Sequence, residues 1–289
     1  AAVNLDAESV AADAGAGVEA LHTAWQARGW HTDWRDGVKD ARRSWQPELA
    51  RLAQLEAPEA AALHQTRVLM ELNQLLREDN IVAASGSLPS DLERVWTARR
   101  PGAYHLEYGF SCMGYEVSGA LGVKLADPEH EVYTFVGDGG FLMGHSDLLT
   151  SIQEGHKINV LLFNNSGHQC IHNLERSQGM GTFGTEFRFR EQSTGGLTGG
   201  YVPVNYAKLA SAYGVKTWRV TTLTELHAAI EASKQSDVST LIEIMVLPGT
   251  MTEGYENFWR VGTASVAEKE SVRKAYEKLN DVVKNLRKY

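Results

Sequence analysis

The chain has 289 residues, 43% of them hydrophobic and 22% charged, with a formal net charge of −8. At roughly 100–200 residues per domain, that is a globular protein of one large domain, or of one domain plus a fragment. No basic run interleaves with aromatics and no apolar stretch approaches the ~20 residues that span a bilayer, which argues against nucleic acid or a membrane as partner.

Cys112 and Cys170, the 2 cysteines, give no disulfide framework. They suit a reducing cytoplasm and read as packing residues. The start, Ala1-Ala2-Val3-Asn4-Leu5, has neither an initiator Met nor a signal-peptide pattern, so a piece of a longer polypeptide is expected.

Val3–Leu5 reads as a short strand and the Ala-rich Glu8–Gln26 as a helix weakened by Gly15 and Gly17. Arg28–Trp45 carries Trp30, Trp34 and Trp45 among charged residues and reads as a linker whose rings pack as core anchors. Pro47–Ala57 and Glu59–Glu78 are helical by pattern, the second with Leu69, Leu72, Leu75 and Leu76 at 3–4 spacing. The apolar run Ile81–Ala84 leads into Ser85-Gly86-Ser87-Leu88-Pro89. A strand over Glu131–Val136 ends in Gly137-Asp138-Gly139-Gly140, and a helix follows over Phe141–Glu154. The next strand, Ile158–Phe163, ends in Asn164-Asn165. Strands at Lys216–Val220 and Leu241–Val246 flank a helix at Leu223–Lys234, and Val266–Leu286 is a charged helix. Strands apolar on both faces, alternating with helices, predict an α/β fold. It is a three-layer, doubly wound parallel sheet with helices on both faces.

Gly137-Asp138-Gly139-Gly140 and Asn164-Asn165 stand at the carboxyl ends of successive strands, where open parallel sheets bind ligands. Asp138 offers a carboxylate, Asn165 an amide oxygen, and the turn Ser166-Gly167 a main-chain carbonyl. Three such oxygens suit Mg²⁺, which takes its remaining ligands from phosphate and water. The amides of Gly139 and Gly140 open a helix and can approach a phosphate. A metal–diphosphate site is the reading these residues support.

The conjunction resembles the fingerprint of thiamine diphosphate-dependent enzymes: Gly-Asp-Gly, about two dozen residues, then Asn-Asn. The resemblance implies that Asp138, Asn165 and Gly167 hold Mg²⁺, with Gly137, Gly139 and Gly140 also lining the diphosphate. Upstream, Cys112-Met113-Gly114-Tyr115 resembles the Met-Gly-Tyr-Gly of acetolactate-synthase-like members. This makes Met113 the apolar side chain over which the cofactor bends. Gly114–Ala126 is then a small-residue helix packed close behind the site, and Ser87 and Leu88 lie by the diphosphate. Where that family often has Gln-Glu-Leu after Gly-Asp-Gly, this chain has Ser146-Asp147-Leu148.

Ser166–Pro203 has little periodicity and eight glycines, which reads as a functional lid. It carries His168, Gln169, His172, Asn173, Arg176, Gln178, Arg188 and Arg190. His168 and His172 at i, i+4 also fit a metal-binding pair, but no third ligand is evident. The runs from Asn164 to Gly179, Gly184–Arg188, Gly199–Tyr201 and Leu247–Thr252 depart from acetolactate synthases. They resemble instead the branch that hydrolytically opens a polyhydroxylated cyclic 1,2-dione in myo-inositol breakdown. That resemblance implies addition to one carbonyl, cleavage of the adjacent ring C–C bond, and release by water of 5-deoxy-glucuronate. His168 and His172 are candidates for the proton transfers, and Gln169, Asn173 and Arg176 for substrate contacts.

The same resemblance implies a division of the chain: 1–35 the end of a middle domain, 36–58 a linker and helix, 59–262 the diphosphate- and Mg²⁺-binding domain, and 263–289 a C-terminal helix. The glutamate that activates the cofactor is expected on a pyrimidine-binding domain of the same or a neighbouring chain. A homodimer or homotetramer is therefore expected, with the isolated chain inactive. Two alternatives stay open: another carboligase or 2-oxoacid decarboxylase of the family, or a non-catalytic cofactor-binding subunit.

Overall fold

Runs of Val, Ile, Leu and Phe that are buried along their whole length need cover on both faces, and the structure supplies it. The computed structural model describes residues 8–57, 62–251 and 262–284. Six strands, β1 (Asn80–Ala83), β2 (Tyr104–Leu106), β3 (Val132–Gly137), β4 (Asn159–Asn164), β5 (Lys216–Val220) and β6 (Thr240–Met245), form one sheet in the order β2-β1-β3-β4-β6-β5. Every pairing is parallel, as the sequence leads one to expect.

Side chains alternate between the two faces. On one face Val82, Val132, Val136, Val160, Leu162 and Leu241 pack against α5 (Tyr115–Ala126), α6 (Asp138–Gly144), α7 (Asp147–Glu154) and α9 (Tyr206–Ser211), through Val117, Phe141, Leu148 and Tyr206. On the other, the Tyr133 hydroxyl meets Ser233 Oγ of α10 (Leu223–Lys234) at 2.9 Å. There α10 adjoins α3 (Gln65–Leu75), which packs on α4 (Ser87–Val95). Each fully buried Leu or Phe contributes about 1.5–3 kcal/mol relative to exposure, so both layers are held by the sheet they cover.

The described residues fall into two compact units, 51–278 and 8–50 with 279–284. α1 (Ala14–Ala27) and most of α2 (Trp34–Leu52) belong to the latter, and α11 (Glu270–Lys284) is divided between the two. Asp13 caps α1 by accepting from the Ala16 amide at 3.0 Å. Among the described residues no helix is long and apolar enough to cross a membrane.

Several local expectations are corrected. The segment read as a linker over Arg28–Trp45 is largely helical, because α2 starts at Trp34. Two of its tryptophans are not core anchors: Trp30 and Trp34 are exposed, and Trp30 stands edge-on to Trp25 at 5.4 Å, while Trp45 is half-buried. The helix expected over Phe141–Glu154 is two helices, α6 and α7, broken at His145–Ser146. Ser87-Leu88-Pro89, given no element from sequence, starts α4; proline is tolerated in a first helical turn, where no intrahelical amide bond is lost. Cys112 is exposed and does not pack, while Cys170 is half-buried. The strand expected at Val3–Leu5 lies outside the described residues, as do Glu59 and Thr252.

Candidate functional site

From β1 the chain runs outward through α4 to β2, then returns through α5 to β3 on the other side of β1. That reversal opens a crevice at the carboxyl ends of β1 and β3, the place where parallel sheets bind ligands. The loops after β1, β3 and β4 meet there.

Asp138 follows β3 and is fully buried. Its Oδ1 accepts from the Gly139 amide at 2.9 Å and its Oδ2 from the Gly167 amide at 3.0 Å. Burial nevertheless pushes its carboxyl up to about 7, outweighing these bonds. Gly167 sits at φ 154° with Thr185 O only 2.5 Å from where a Cβ would stand, so no other residue fits. Two residues earlier, Asn165 Oδ1 is buried with no hydrogen-bond partner. The structure thus brings Asp138 and Gly167 into contact, and the same loop carries an unpaired amide oxygen. A carboxylate, an amide oxygen and a main-chain carbonyl are hard oxygen donors, and a buried oxygen without a partner fits a bound cation.

The residues that brace this loop were not singled out from sequence. Glu243, fully buried on β6, accepts from Asn164 Nδ2 at 2.7 Å and from the Ala207 amide at 3.0 Å. Asn164 Oδ1 in turn accepts from the Ser166 amide at 3.2 Å. Glu116, fully buried on α5, joins Ser85 after β1 to Gly114 beside Met113. A charged residue inside an otherwise small or apolar run was the available signal for both. The small-residue helix itself is present as α5, but Gly119 makes room for the ring of Tyr115 on its own helix, and nothing stands within 4 Å of a side chain at Gly122.

Other predicted site residues are distributed around this centre. Met113 is half-buried in the turn before α5. Ser87 Oγ accepts from Gln65 Nε2 at 3.2 Å, and the Leu88 side chain is buried. Gln169 is also buried and donates to the Asn165 main-chain oxygen at 3.2 Å, so it shapes the loop. The His168 imidazole lies over Gly139 and edge-on to Phe187 at 5.4 Å. His172 Nδ1 lies 3.4 Å from Thr185 Oγ1, which donates to Glu175. Asn173 Nδ2 contacts Met251 Sδ at 3.5 Å, and Arg176 is exposed. Among the described residues no three His, Cys, Asp or Glu side chains cluster, so the His168–His172 pair has no third such ligand.

The segment from Ser166, expected to be irregular, contains a helix, α8 (Gln169–Ser177), and a cross-braced strap. Gly167 bridges Glu186, and Arg188 bridges Tyr201. Arg188 donates to both Glu186 oxygens, at 3.0 and 3.3 Å, and lies 3.8 Å over the Tyr201 ring. Burial raises the Glu186 pKa, but its bonds from Arg188 and Tyr201 outweigh this and hold the carboxyl below its usual range.

Fold and crevice together define a ligand-binding α/β domain with its site at the topological switch point. The family model "Thiamine pyrophosphate enzyme, C-terminal TPP binding domain" matches residues 84–244, more than half of the chain, and the chain belongs to that family. It is 48% identical to the 3D-(3,5/4)-trihydroxycyclohexane-1,2-dione hydrolase of Clostridium tetani, over 99% of this chain and 48% of that protein. To the protein of the same name from Geobacillus thermodenitrificans it is 47% identical, over 100% of this chain and 48% of that protein. The chain therefore spans about half the length of the curated relatives it matches. A similar solved structure, the thiamine diphosphate-dependent 4-hydroxybenzoylformate decarboxylase of Rhodococcus jostii RHA1, superposes with a TM-score of 0.55. It covers 67% of this chain and 34% of its own, at 21% identity, and at that distance it speaks for the fold alone.

Proposed function

We propose that this chain supplies the diphosphate- and Mg²⁺-holding half of an enzyme that hydrolytically opens 3D-(3,5/4)-trihydroxycyclohexane-1,2-dione to 5-deoxy-glucuronate. The observation that carries the cation site is the unpaired, buried Asn165 Oδ1 on the same loop as Gly167, whose amide binds the buried Asp138 carboxylate. The near-half identity to proteins named for that hydrolysis carries the substrate.

In this reading Asp138, Asn165 Oδ1 and the Gly167 carbonyl hold the cation. Ser87, Leu88, Gly137, Gly139 and Gly140 lie along the diphosphate, and Met113 supports the bent cofactor. When bound, thiamine diphosphate supplies the carbanion chemistry that cleaves a C–C bond next to a carbonyl. His168 and His172 sit at the start of the loop that leaves this site and are the candidates for proton transfers. Gln169 holds the Asn165 carbonyl, leaving Asn173 and Arg176 as the candidates for contact with substrate hydroxyls. Residues 59–262 form the functional domain, between 36–58 and the helix within 263–289, with 1–35 as the end of a middle domain. A pyrimidine-binding domain of the same or a neighbouring chain brings the activating glutamate, within a cytoplasmic homodimer or homotetramer.

The test is an assay of the full-length protein with thiamine diphosphate and Mg²⁺, offering the cyclic dione and pyruvate separately. Consumption of the dione with release of a carboxylate is the expected result. Turnover of pyruvate alone would replace this reading with a decarboxylase or carboligase.

A further inference from the structure

Glu116 lies in the first turn of α5 with 0% of its surface exposed, and three donors converge on its carboxylate. Ser85 donates to Oε1 twice, from its amide at 3.1 Å and its hydroxyl at 2.7 Å. The Gly114 amide donates to Oε2 at 2.9 Å. One side chain thus ties the turn after β1 to the turn that carries Met113, across 31 residues of sequence.

The Met113 turn is held from its other side by α6. Gly114 has φ 92°, and a Cβ on Gly144 would stand 2.4 Å from Gly114 O, so the two backbones touch. At the opposite end of α6, a Cβ on Gly140 would stand 3.6 Å from Glu116 Oε1. The carboxylate therefore sits where α5, the β1 turn and the helix opened by Asp138 come together. A serine or asparagine suffices to cap a helix. Three converging donors need a group that only accepts, and only a carboxylate offers that on two oxygens.

We propose that Glu116 is a positioning residue that fixes Met113 for the cofactor, acting through the Gly114 amide and Ser85. This rests on the reading that Met113 supports the bent cofactor. Glutamine at 116 turns an N–H toward one of the three donors and frees the Met113 turn.

The test is titration calorimetry of thiamine diphosphate at saturating Mg²⁺ on the full-length protein. The set is the wild type, E116Q, M113A and the E116Q/M113A double variant. E116Q is expected to weaken binding about tenfold to a hundredfold. M113A weakens it too, and the double variant binds no worse than M113A alone, because both changes act through one contact. Wild-type affinity in E116Q, or losses that multiply in the double variant, would overturn the proposal. Wild-type affinity in M113A overturns the Met113 reading itself, and with it this role of Glu116. If E116Q does not fold, S85A removes one donor only and is read in the same cycle with M113A. A loss in S85A that vanishes on the M113A background supports the proposal, and any other pattern overturns it.

Discussion

The imidazole of His168 stands directly on the backbone of Gly139: a methyl group there would fall 2.3 Å from Nδ1. The contact locks the loop after β4 onto the start of α6. Gly139→Ala is therefore expected to destabilise the protein by about 1–3 kcal/mol, the usual cost of overpacking a tight site. His168→Ala removes the obstacle, so the double variant recovers most of that loss. Thermal melts of the three variants check this, and losses that simply add would count against it.

The Asp138 carboxyl, raised by burial from 3.8 to about 7, makes cation binding compete with a proton. Mg²⁺ affinity is expected to be level above pH 7 and to fall about tenfold per unit below it. The sign for stability is opposite. The folded protein without cation holds this proton more tightly than the unfolded chain. The contribution of Asp138 is full below about pH 4 and disappears as pH rises through about 7. Relative to Asp138→Asn, the cation-free wild type should lose melting temperature between about pH 4 and 7, level off above it, and regain stability with Mg²⁺. A Mg²⁺ affinity that does not change between pH 5.5 and 8 would refute the first half.

Local signals made part of the fold legible in the sequence. Lys216–Val220 and Leu223–Lys234 match β5 and α10 to the residue, because Thr217, Trp218 and Val220 are residue types that favour strands and a capped helix carries its own start signal. Thr222 and Glu225 there form a full capping box. That Asp138 and Asn165 directly follow neighbouring parallel strands was legible because a short motif and its spacing survive without tertiary context. Glu116 and Glu243 were not, since each binds at least one partner far away in sequence, and a lone Glu says nothing about which donors will surround it. The exposed tryptophans were misread for the complementary reason: an aromatic residue reports its appetite for burial, not whether a partner surface is at hand.

Glu243 holds the loop after β4 at one remove. It orients Asn164, whose Oδ1 fixes the Ser166 amide at 3.2 Å, where Ser166 adopts a positive φ of 62°. Glu243→Ala leaves two buried donors, on Asn164 and Ala207, without their acceptor. The expected loss is about 2–6 kcal/mol, at about 1–3 kcal/mol for each unpaired group. Urea unfolding with the linear extrapolation measures it. A loss below about 0.5 kcal/mol, typical of a surface change, would show that Glu243 carries no such role.

Arg188 tests whether the strap behind Gly167 matters to the site. Its guanidinium makes two bonds to Glu186, one to the Gly199 carbonyl at 3.0 Å, and covers the Tyr201 ring. Lysine keeps the charge but cannot fork toward two carboxylate oxygens while lying flat on a ring. Arg188→Lys should therefore loosen the strap without unfolding the sheet. Trypsin should cut faster at Arg190, whose neighbourhood is exposed, while the melting temperature moves by only a few degrees. Because Glu186 bridges Gly167, Mg²⁺ affinity should fall a few-fold as well. Unchanged proteolysis with unchanged Mg²⁺ affinity would mean that the strap merely covers the domain and does not hold the loop in place.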